Sequence, residues 1–142
     1  MKKICVIDGQ GGGIGATIIK KIKEYYNENV EIIALGTNAI ATSQMLKARA
    51  NRGASGENAI VQTVQKVDVI IGTISIILAH AMMGEMTPKI TEAIARSPAI
   101  KIILPITQEN IHVVGGPLIP LPQLVEMLIN DYLSEICQPN KK

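Results

Sequence analysis

The sequence predicts a three-layer α/β sandwich, in which a mostly parallel sheet of four to five strands carries helices on both faces. Short runs rich in Ile and Val recur along the 142 residues, amphipathic segments separate them, and aromatic residues make up only 2% of the chain. Strands that are buried on both faces consist of such aliphatic runs, and strands that alternate with helices form parallel, doubly wound sheets. A chain of this length fits one domain, which we expect over residues 1–137, with a disordered tail over 138–142.

The predicted strands are apolar runs that are bounded by turn residues. Four buried strands are predicted at Ile4 to Ile7, Glu31 to Leu35, Val67 to Ile71 and Ile100 to Leu104. A further strand is predicted over Ile111 to Val114, as an antiparallel partner or an edge of the sheet.

Helices are predicted between the strands from the spacing of apolar residues and from end signals. Ile14, Ile18, Ile19 and Ile22 share one helical face, so the first connection is an amphipathic helix. The other predicted helices are Ala39 to Ala50, capped by Thr37 or Asn38 and ended by Gly53 and Gly56; a short one from a Ser55 cap to Gln65; Thr87-Pro88 to Ser97-Pro98; and Leu124 to Ile136. A strand is an alternative to the helix for the segment from Ser55 to Gln65.

The segment from Val69 to Met83 is the longest apolar stretch of the chain. It falls short of the ~20 residues that a membrane-spanning helix needs, so we interpret it as a strand that turns into a buried helix.

Composition and charge argue against several partners. Fourteen Lys and Arg against twelve Asp and Glu give a net charge of +2 without a large basic block, so neither nucleic acid nor a membrane surface is indicated. The N-terminus is too short and too soon broken for a signal peptide, which predicts a cytoplasmic protein. In a reducing compartment Cys5 and Cys137 are expected as a buried small residue and a free thiol rather than as a disulfide.

The glycine-rich turn after the first strand is the clearest functional signal. In Asp8-Gly9-Gln10-Gly11-Gly12-Gly13-Ile14-Gly15-Ala16, the residues Gly11, Gly13 and Ala16 match the G-x-G-x-x-(G/A) dinucleotide fingerprint between a strand and a helix. Glycines let a phosphate approach the backbone, and the start of the helix offers free amide donors. The turn therefore predicts a Rossmann-like site for a small phosphorylated ligand.

Two departures from known nucleotide-binding motifs restrict the identity of the ligand, and the first is a missing acidic residue. The second strand ends Leu35-Gly36-Thr37-Asn38, without the acidic residue that takes the ribose hydroxyls of NAD, so NADP or an adenine nucleotide is favoured over NAD. Arg49 and Arg52 are candidates for a second phosphate, although surface solvation is the simpler role for both.

The turn also resembles the deviant P-loop of ParA-like ATPases, with Gly12-Gly13-Ile14-Gly15-Ala16-Thr17 against a Gly-Gly-x-Gly-Lys-Thr pattern. Ala16 stands at the lysine position. NTP hydrolysis by the usual mechanism is therefore not expected.

Three predicted strands end in glycine and polar residues, and the carboxyl ends of parallel strands meet at one edge of the sheet, where open α/β sheets bind ligands. The predicted binding residues are Asp8, Gly9, Gln10, Gly11, Gly12, Gly13, Gly15, Gly36, Thr37, Asn38, Gly72, Thr73 and Ser75. The turn at Ser55 to Asn58 starts a helix that could face the same crevice, which makes Glu57 an acid of interest.

The sequence does not identify a catalytic residue. Asp8 is placed to contact a ribose, a metal-bound water or a backbone amide of the turn, and Asp68 begins its strand at the opposite edge. His80 is expected in the core of an apolar helix and His112 at the surface of an edge strand. The spacing of His, Cys and carboxylates predicts no metal site.

The segments IDGQGGGIG, ALGTNAIAT, GASGENAI and VDVIIGTISIILA together resemble an uncharacterised family of short bacterial proteins, a domain of unknown function. The resemblance covers most of the chain. It implies a Rossmann-like fold and a bacterial cytoplasmic setting, and it brings no activity or catalytic residue with it.

These features predict a nucleotide- or phosphate-binding protein whose ligand phosphates lie on the turn from Gly9 to Gly15. The first alternative is a non-catalytic assembly or regulatory module that forms a homo-oligomer, with Ile74 to Met86 and its three methionines as the packing segment. The second is a degenerate P-loop ATPase that lacks the lysine.

Overall fold

The protein forms one five-stranded sheet in the strand order β3-β2-β1-β4-β5. The computed structural model describes residues 1–107, 109–116 and 118–137. All four strand pairs are parallel. The strands are β1 (Lys2–Asp8), β2 (Val30–Gly36), β3 (Arg52–Ser55), β4 (Val69–Thr73) and β5 (Ile100–Leu104).

Helices connect the strands throughout. They are α1 (Gly13–Tyr26), α2 (Ala39–Lys47), α3 (Glu57–Thr63), α4 (Pro88–Arg96), α5 (Leu121–Met127) and α6 (Ser134–Ile136), with a π-helical stretch at Leu128–Leu133 and 3-10 turns at Asn27–Asn29, Val64–Lys66 and Ile74–Ile77. Among the described residues no helix is long and apolar enough to cross a membrane.

The two faces of the sheet bury two separate apolar cores. Along β1, Ile4 and Val6 point to the core that α1 and α5 cover, whereas Cys5 and Ile7 point to the core that α3 and α4 cover. This alternation explains the continuous Ile and Val content of the central strands. The predicted three-layer, Rossmann-like α/β fold is confirmed, and the order of the strands places β1 next to β4 at the point where the winding direction reverses.

Helix ends follow the local sequence where it supplies caps. The Asn38 side chain accepts a hydrogen bond from the Ala41 amide at 2.8 Å, and the Thr87 hydroxyl accepts one from the Ile90 amide at 3.2 Å. The predicted Ser55 cap is wrong, because Gly56 precedes α3 and the Ser55 hydroxyl donates instead to Oγ1 of Thr42 at 2.7 Å.

Three predicted elements differ from the structure. Arg52–Ser55, interpreted as part of a break after α2, pairs with β2 as an edge strand. The segment after β4 is a 3-10 turn followed by irregular turns, not a buried helix, and His80, Met82 and Met83 there have positive φ. Residues 111–114 form no strand, and their side chains are exposed.

The predictions for the two cysteines and for the C-terminal tail remain to be compared with the structure. Cys5 and Cys137 are both free thiols, and both are buried. Burial raises the pKa of Cys5 to about 12, which leaves its thiol protonated at neutral pH. The predicted disordered tail at 138–142 lies outside the described residues.

Candidate functional site

Asp8, at the end of β1, holds the glycine-rich turn together. Its carboxylate accepts hydrogen bonds from the amides of Gly9 and Gly15, both at 2.7 Å, and its side chain is buried. Burial raises the pKa of Asp8, against the two backbone hydrogen bonds, and the charge of Glu85 raises it further. Of the three roles that the sequence allows for Asp8, the structure provides the contact with the turn amides.

Three glycines of the turn lie where an added Cβ would crowd neighbouring atoms. A Cβ on Gly9 would lie 2.6 Å from Oε1 of Glu85, and one on Gly15 would lie 2.6 Å from the Met45 sulfur. Gly12 has a φ of 75°, and a Cβ there would meet the carbonyl oxygen of Ala41 in α2 at 2.7 Å. Gly12 therefore needs to be glycine whether or not a ligand binds, because backbone atoms surround it, whereas the close neighbours of Gly9 and Gly15 are side-chain atoms.

Gly11 and Gly13 have no such packing reason. A Cβ on either would find no heavy atom within 4 Å beyond its immediate neighbours, and neither has a positive φ. Gly13 is the first residue of the 14-residue helix α1, whose N-cap, Gly12, brings no side chain to the helix start. The open side of the turn therefore borders the first amides of a long helix.

Glu85, in the segment between β4 and α4, closes the other side of the turn. Its Oε1 accepts hydrogen bonds from the Gln10 amide at 2.8 Å and from the Thr37 hydroxyl at 2.6 Å. The side-chain amide of Asn38 donates to both carboxylate oxygens at 3.2 Å. Burial alone would raise the pKa of Glu85, but the hydrogen bonds from these three residues outweigh it and keep the pKa below its usual value.

The end of β2 is tied to the turn independently of Glu85. The Thr37 amide donates to the Asp8 carbonyl at 3.0 Å, and the Asn38 side chain donates to the Gln10 carbonyl at 3.1 Å while its oxygen caps α2. The structure thus brings together the predicted residues of the β1 and β2 ends. Together with Glu85 they form a polar cluster of backbone donors, the Thr37 hydroxyl, the Asn38 side-chain amide and one half-buried carboxylate.

A family model matches residues 3–137 of the chain. The chain belongs to DUF3842, a domain of unknown function. Its expected membership of an uncharacterised family is thereby confirmed. No curated protein matches the chain.

One similar solved structure is the apo form of histidine-tagged saccharopine dehydrogenase (L-Glu forming) from Saccharomyces cerevisiae, with 13% sequence identity and a TM-score of 0.49. The match covers 76% of this chain and 22% of that one, so the DUF3842 chain spans about a fifth of the length of the yeast enzyme. The fold assignment of the DUF3842 chain depends on its own strand order.

The predicted residues at the end of β4 have other contacts in the DUF3842 chain. A Cβ on Gly72 would meet Ile76 at 2.7 Å, so that glycine serves packing. Thr73 is buried, and the Ser75 hydroxyl lies 3.0 Å from Oγ1 of Thr107. Gly36 is likewise a packing glycine, because a Cβ there would overlap the start of α2.

The candidate charged residues Glu57 and Arg52 make their contacts with residues outside the glycine-rich turn. Glu57 accepts a hydrogen bond from the Thr87 hydroxyl at 2.6 Å, and Arg52 pairs with Glu31 at 2.7 Å at the start of β3. His80 is exposed, so its predicted place in the core is wrong; His112 is exposed as predicted, but not on a strand. Within the described ranges no group of three or more His, Cys, Asp or Glu is arranged to hold a metal.

Glu85 is the site residue that the sequence did not identify. It lies in a segment that was interpreted as apolar, and 75 positions separate it from Gln10 in the chain. The available signal was indirect: Glu85 is the acidic residue that follows β4 before the Thr87-Pro88 helix start. Only the strand order brings that segment over β1.

Proposed function

We propose that this DUF3842 protein binds a nucleotide or another phosphate-bearing small molecule at the carboxyl edge of the sheet. The observation that carries the proposal is the open space at Gly11 and Gly13. Glycine loses more conformational freedom on folding than any other residue, so a glycine that packing does not require indicates another role. Close approach of a ligand to the backbone is such a reason.

The start of α1 supplies the attraction for a phosphate. The first amides of a helix have no acceptor within the helix, and the helix dipole adds partial positive charge at that end. Asp8 takes the amide of Gly15 at 2.7 Å, which leaves the amides of Gly13 and Ile14 for the ligand. We therefore place the phosphate against Gly11, Gly13 and Ile14.

The carboxylate of Glu85 restricts where the phosphate lies. It contacts the Gln10 amide and approaches Gly9, but no atom of it lies within 4 Å of a Cβ built on Gly11. Like charges repel strongly at the short distances and reduced dielectric of such a site. The phosphate position is thus on the Gly11 side of the turn, away from the Glu85 side.

Calorimetric titration of the protein with ATP, NAD, NADP and inorganic phosphate tests the proposal. We expect binding of at least one of them, and a loss of about 10-fold or more in affinity for Gly11→Ala and Gly13→Ala, because the added methyl groups occupy the ligand's approach. Asn58→Ala, at an exposed position in the first turn of α3, is the matched control. Absence of binding by all four, or equal affinity in the variants, would refute the proposal.

A homo-oligomer is the second candidate, and a different surface favours it. The edge strand β5 exposes Ile100 by 52%, and β5 and α5 line a largely apolar cavity of about 560 Å³. Of the three methionines considered from the sequence, Met82 and Met86 are buried in the core and Met83 is exposed, so the segment offers one methionine rather than three for packing. Sedimentation equilibrium should show dimers that dissociate in Ile100→Lys; a monomer at all concentrations would exclude this candidate.

A further inference from the structure

We propose that Glu85 binds the vicinal hydroxyls of a ribose and so selects a nucleotide with a free 2′-hydroxyl over one with a 2′-phosphate. The inference rests on the proposed function and names the part of the ligand that lies beside the phosphate. Glu85 belongs neither to the glycine fingerprint nor to the end of β2, where dinucleotide-binding folds ordinarily carry the acidic residue.

The position of the carboxylate is the first reason. In dinucleotide-binding folds an acidic residue at the end of the second strand accepts hydrogen bonds from the ribose. Here β2 ends in Gly36 and continues into Thr37 and Asn38, both of which donate to Glu85, at 2.6 Å and 3.2 Å. The segment after β4 thus delivers a carboxylate to the place where β2 lacks one.

The remaining hydrogen-bonding capacity of the carboxylate is the second reason. Oε1 accepts from the Gln10 amide and the Thr37 hydroxyl, and it shares the Asn38 amide with Oε2. An ionised carboxylate offers about four acceptor sites on its two oxygens. Among the described residues Oε2 has the one contact with Asn38 at 3.2 Å, which leaves it able to accept from a hydroxyl pair.

Charge at this end of the turn is the third reason. Asp8 and Glu85 both lie beside Gly9, and the charge of Glu85 adds to the burial that raises the pKa of Asp8. A hydroxyl is a donor that a carboxylate attracts, whereas a second phosphate would bring like charge to the pair. The preference for NADP that follows from the missing acid in β2 is therefore reversed.

In a competing interpretation, the Glu85 carboxylate occupies the position that the phosphate of the ligand takes when it binds. A carboxylate that accepts backbone and hydroxyl donors resembles a bound phosphate oxygen, and it would have to leave before the ligand binds. The two interpretations predict opposite effects of removing the charge. Loss of the charge weakens a ribose ligand in the first case and strengthens every phosphate ligand in the second.

The experiment is calorimetric titration of the full chain and of Glu85→Gln with adenosine 5′-monophosphate, its 2′-deoxy form and adenosine 2′,5′-bisphosphate. Glutamine keeps the shape of the side chain. Glu57→Gln is the matched control, because Glu57 also accepts from a threonine hydroxyl at 2.6 Å but lies at the start of α3. Thermal unfolding of each variant confirms that it is folded.

We expect the unaltered protein to bind the monophosphate about 10-fold tighter than either analogue, since hydrogen bonds to a charged group are the stronger kind. Glu85→Gln should lose that advantage, with a larger loss of affinity for the monophosphate than for its deoxy form, which keeps only the 3′-hydroxyl, and Glu57→Gln should change neither affinity. Equal affinity for all three nucleotides, or tighter binding of all three by Glu85→Gln, would overturn the inference while the proposed function stands. Failure of the unaltered protein to bind any of them or inorganic phosphate would overturn both.

Discussion

The two neighbouring glycines Gly12 and Gly13 should respond to alanine in opposite directions. At Gly12, alanine must adopt a φ of 75°, which costs roughly 1–2 kcal/mol in the left-handed region. Its methyl group must also fit 2.7 Å from the Ala41 oxygen and 2.8 Å from its Cα, both backbone atoms of α2. Overpacking of this kind costs typically about 1–3 kcal/mol, so we expect Gly12→Ala to lose about 2–5 kcal/mol in the free energy of unfolding.

Gly13→Ala should stabilise the protein. The methyl group finds no heavy atom within 4 Å, the φ of Gly13 suits any residue, and the position is the first of α1. Alanine gains roughly 0.5–1 kcal/mol over glycine in the middle of a helix, so we expect a gain of at most that size at this first position. Urea unfolding of both variants, followed by far-UV circular dichroism, gives the two free energies.

A loss of more than about 1 kcal/mol in Gly13→Ala would refute the reasoning, because the side of the turn that we assign to a ligand would then be packed. An unchanged midpoint in Gly12→Ala would equally refute the close approach of α2. If both outcomes match expectation and Gly13→Ala also loses ligand affinity, the glycine at position 13 serves binding and not folding.

Three further measurements test other parts of the structure. The buried Tyr26 hydroxyl lacks a hydrogen-bond partner among the described residues, so Tyr26→Phe should raise the free energy of unfolding by about 1 kcal/mol; a loss would indicate a bound water. Thr87→Ala should lose about 1 kcal/mol because the cap of α4 is removed, whereas Thr87→Ser should retain it; equal stability of the two would contradict the capping role. The pKa of Glu85 is lower in the folded than in the unfolded chain, so its contribution is present above the unfolded value and lost as pH falls through the folded one, and the stability advantage over Glu85→Gln should vanish in acid. Urea midpoints at successive pH values check this, and an advantage that persists in acid would contradict it.

The central strands could be predicted because both of their faces are buried. β1, β2 and β4 are such strands. β5 has the predicted bounds, Ile100–Leu104, but its prediction as a buried strand is wrong, because it is an edge strand and only Leu104 in it is buried. β3 reads Arg-Gly-Ala-Ser and is largely exposed, so no apolar run marks it, and its pairing with β2 is what makes it a strand. Conversely Ile111 to Val114 has strand-forming residues without a partner, and intrinsic preference alone does not form a strand.

Only the part of the site whose residues are neighbours in the sequence could be predicted. The turn after β1 follows from neighbouring glycines and from Asp8, whose carboxylate accepts hydrogen bonds from amides no further along the chain than Gly15. The hydrogen bond from the Gln10 amide to Glu85 joins residues 75 positions apart, and it depends on the conformation of a segment that apolar content misidentifies as helix. Positive φ at residues such as Met82 and Met83 gave no signal in the sequence, because these residues rarely adopt it.

The strand order explains why Glu85 can substitute for an acid on β2. β4 pairs with β1 and not with β3, so the chain that leaves β4 emerges beside Gly9. The segment that follows β4 then crosses the end of β1 and reaches Thr37, whose hydroxyl donates to Glu85. At the crossing, the Met82 and Glu85 side chains lie directly against the Cα of Gly9. A side chain at Gly9 would separate the carboxylate from its donors. Gly9 thus belongs to the Glu85 side of the turn, whereas Gly11 and Gly13 belong to the open side, and the same run of glycines performs two separable tasks.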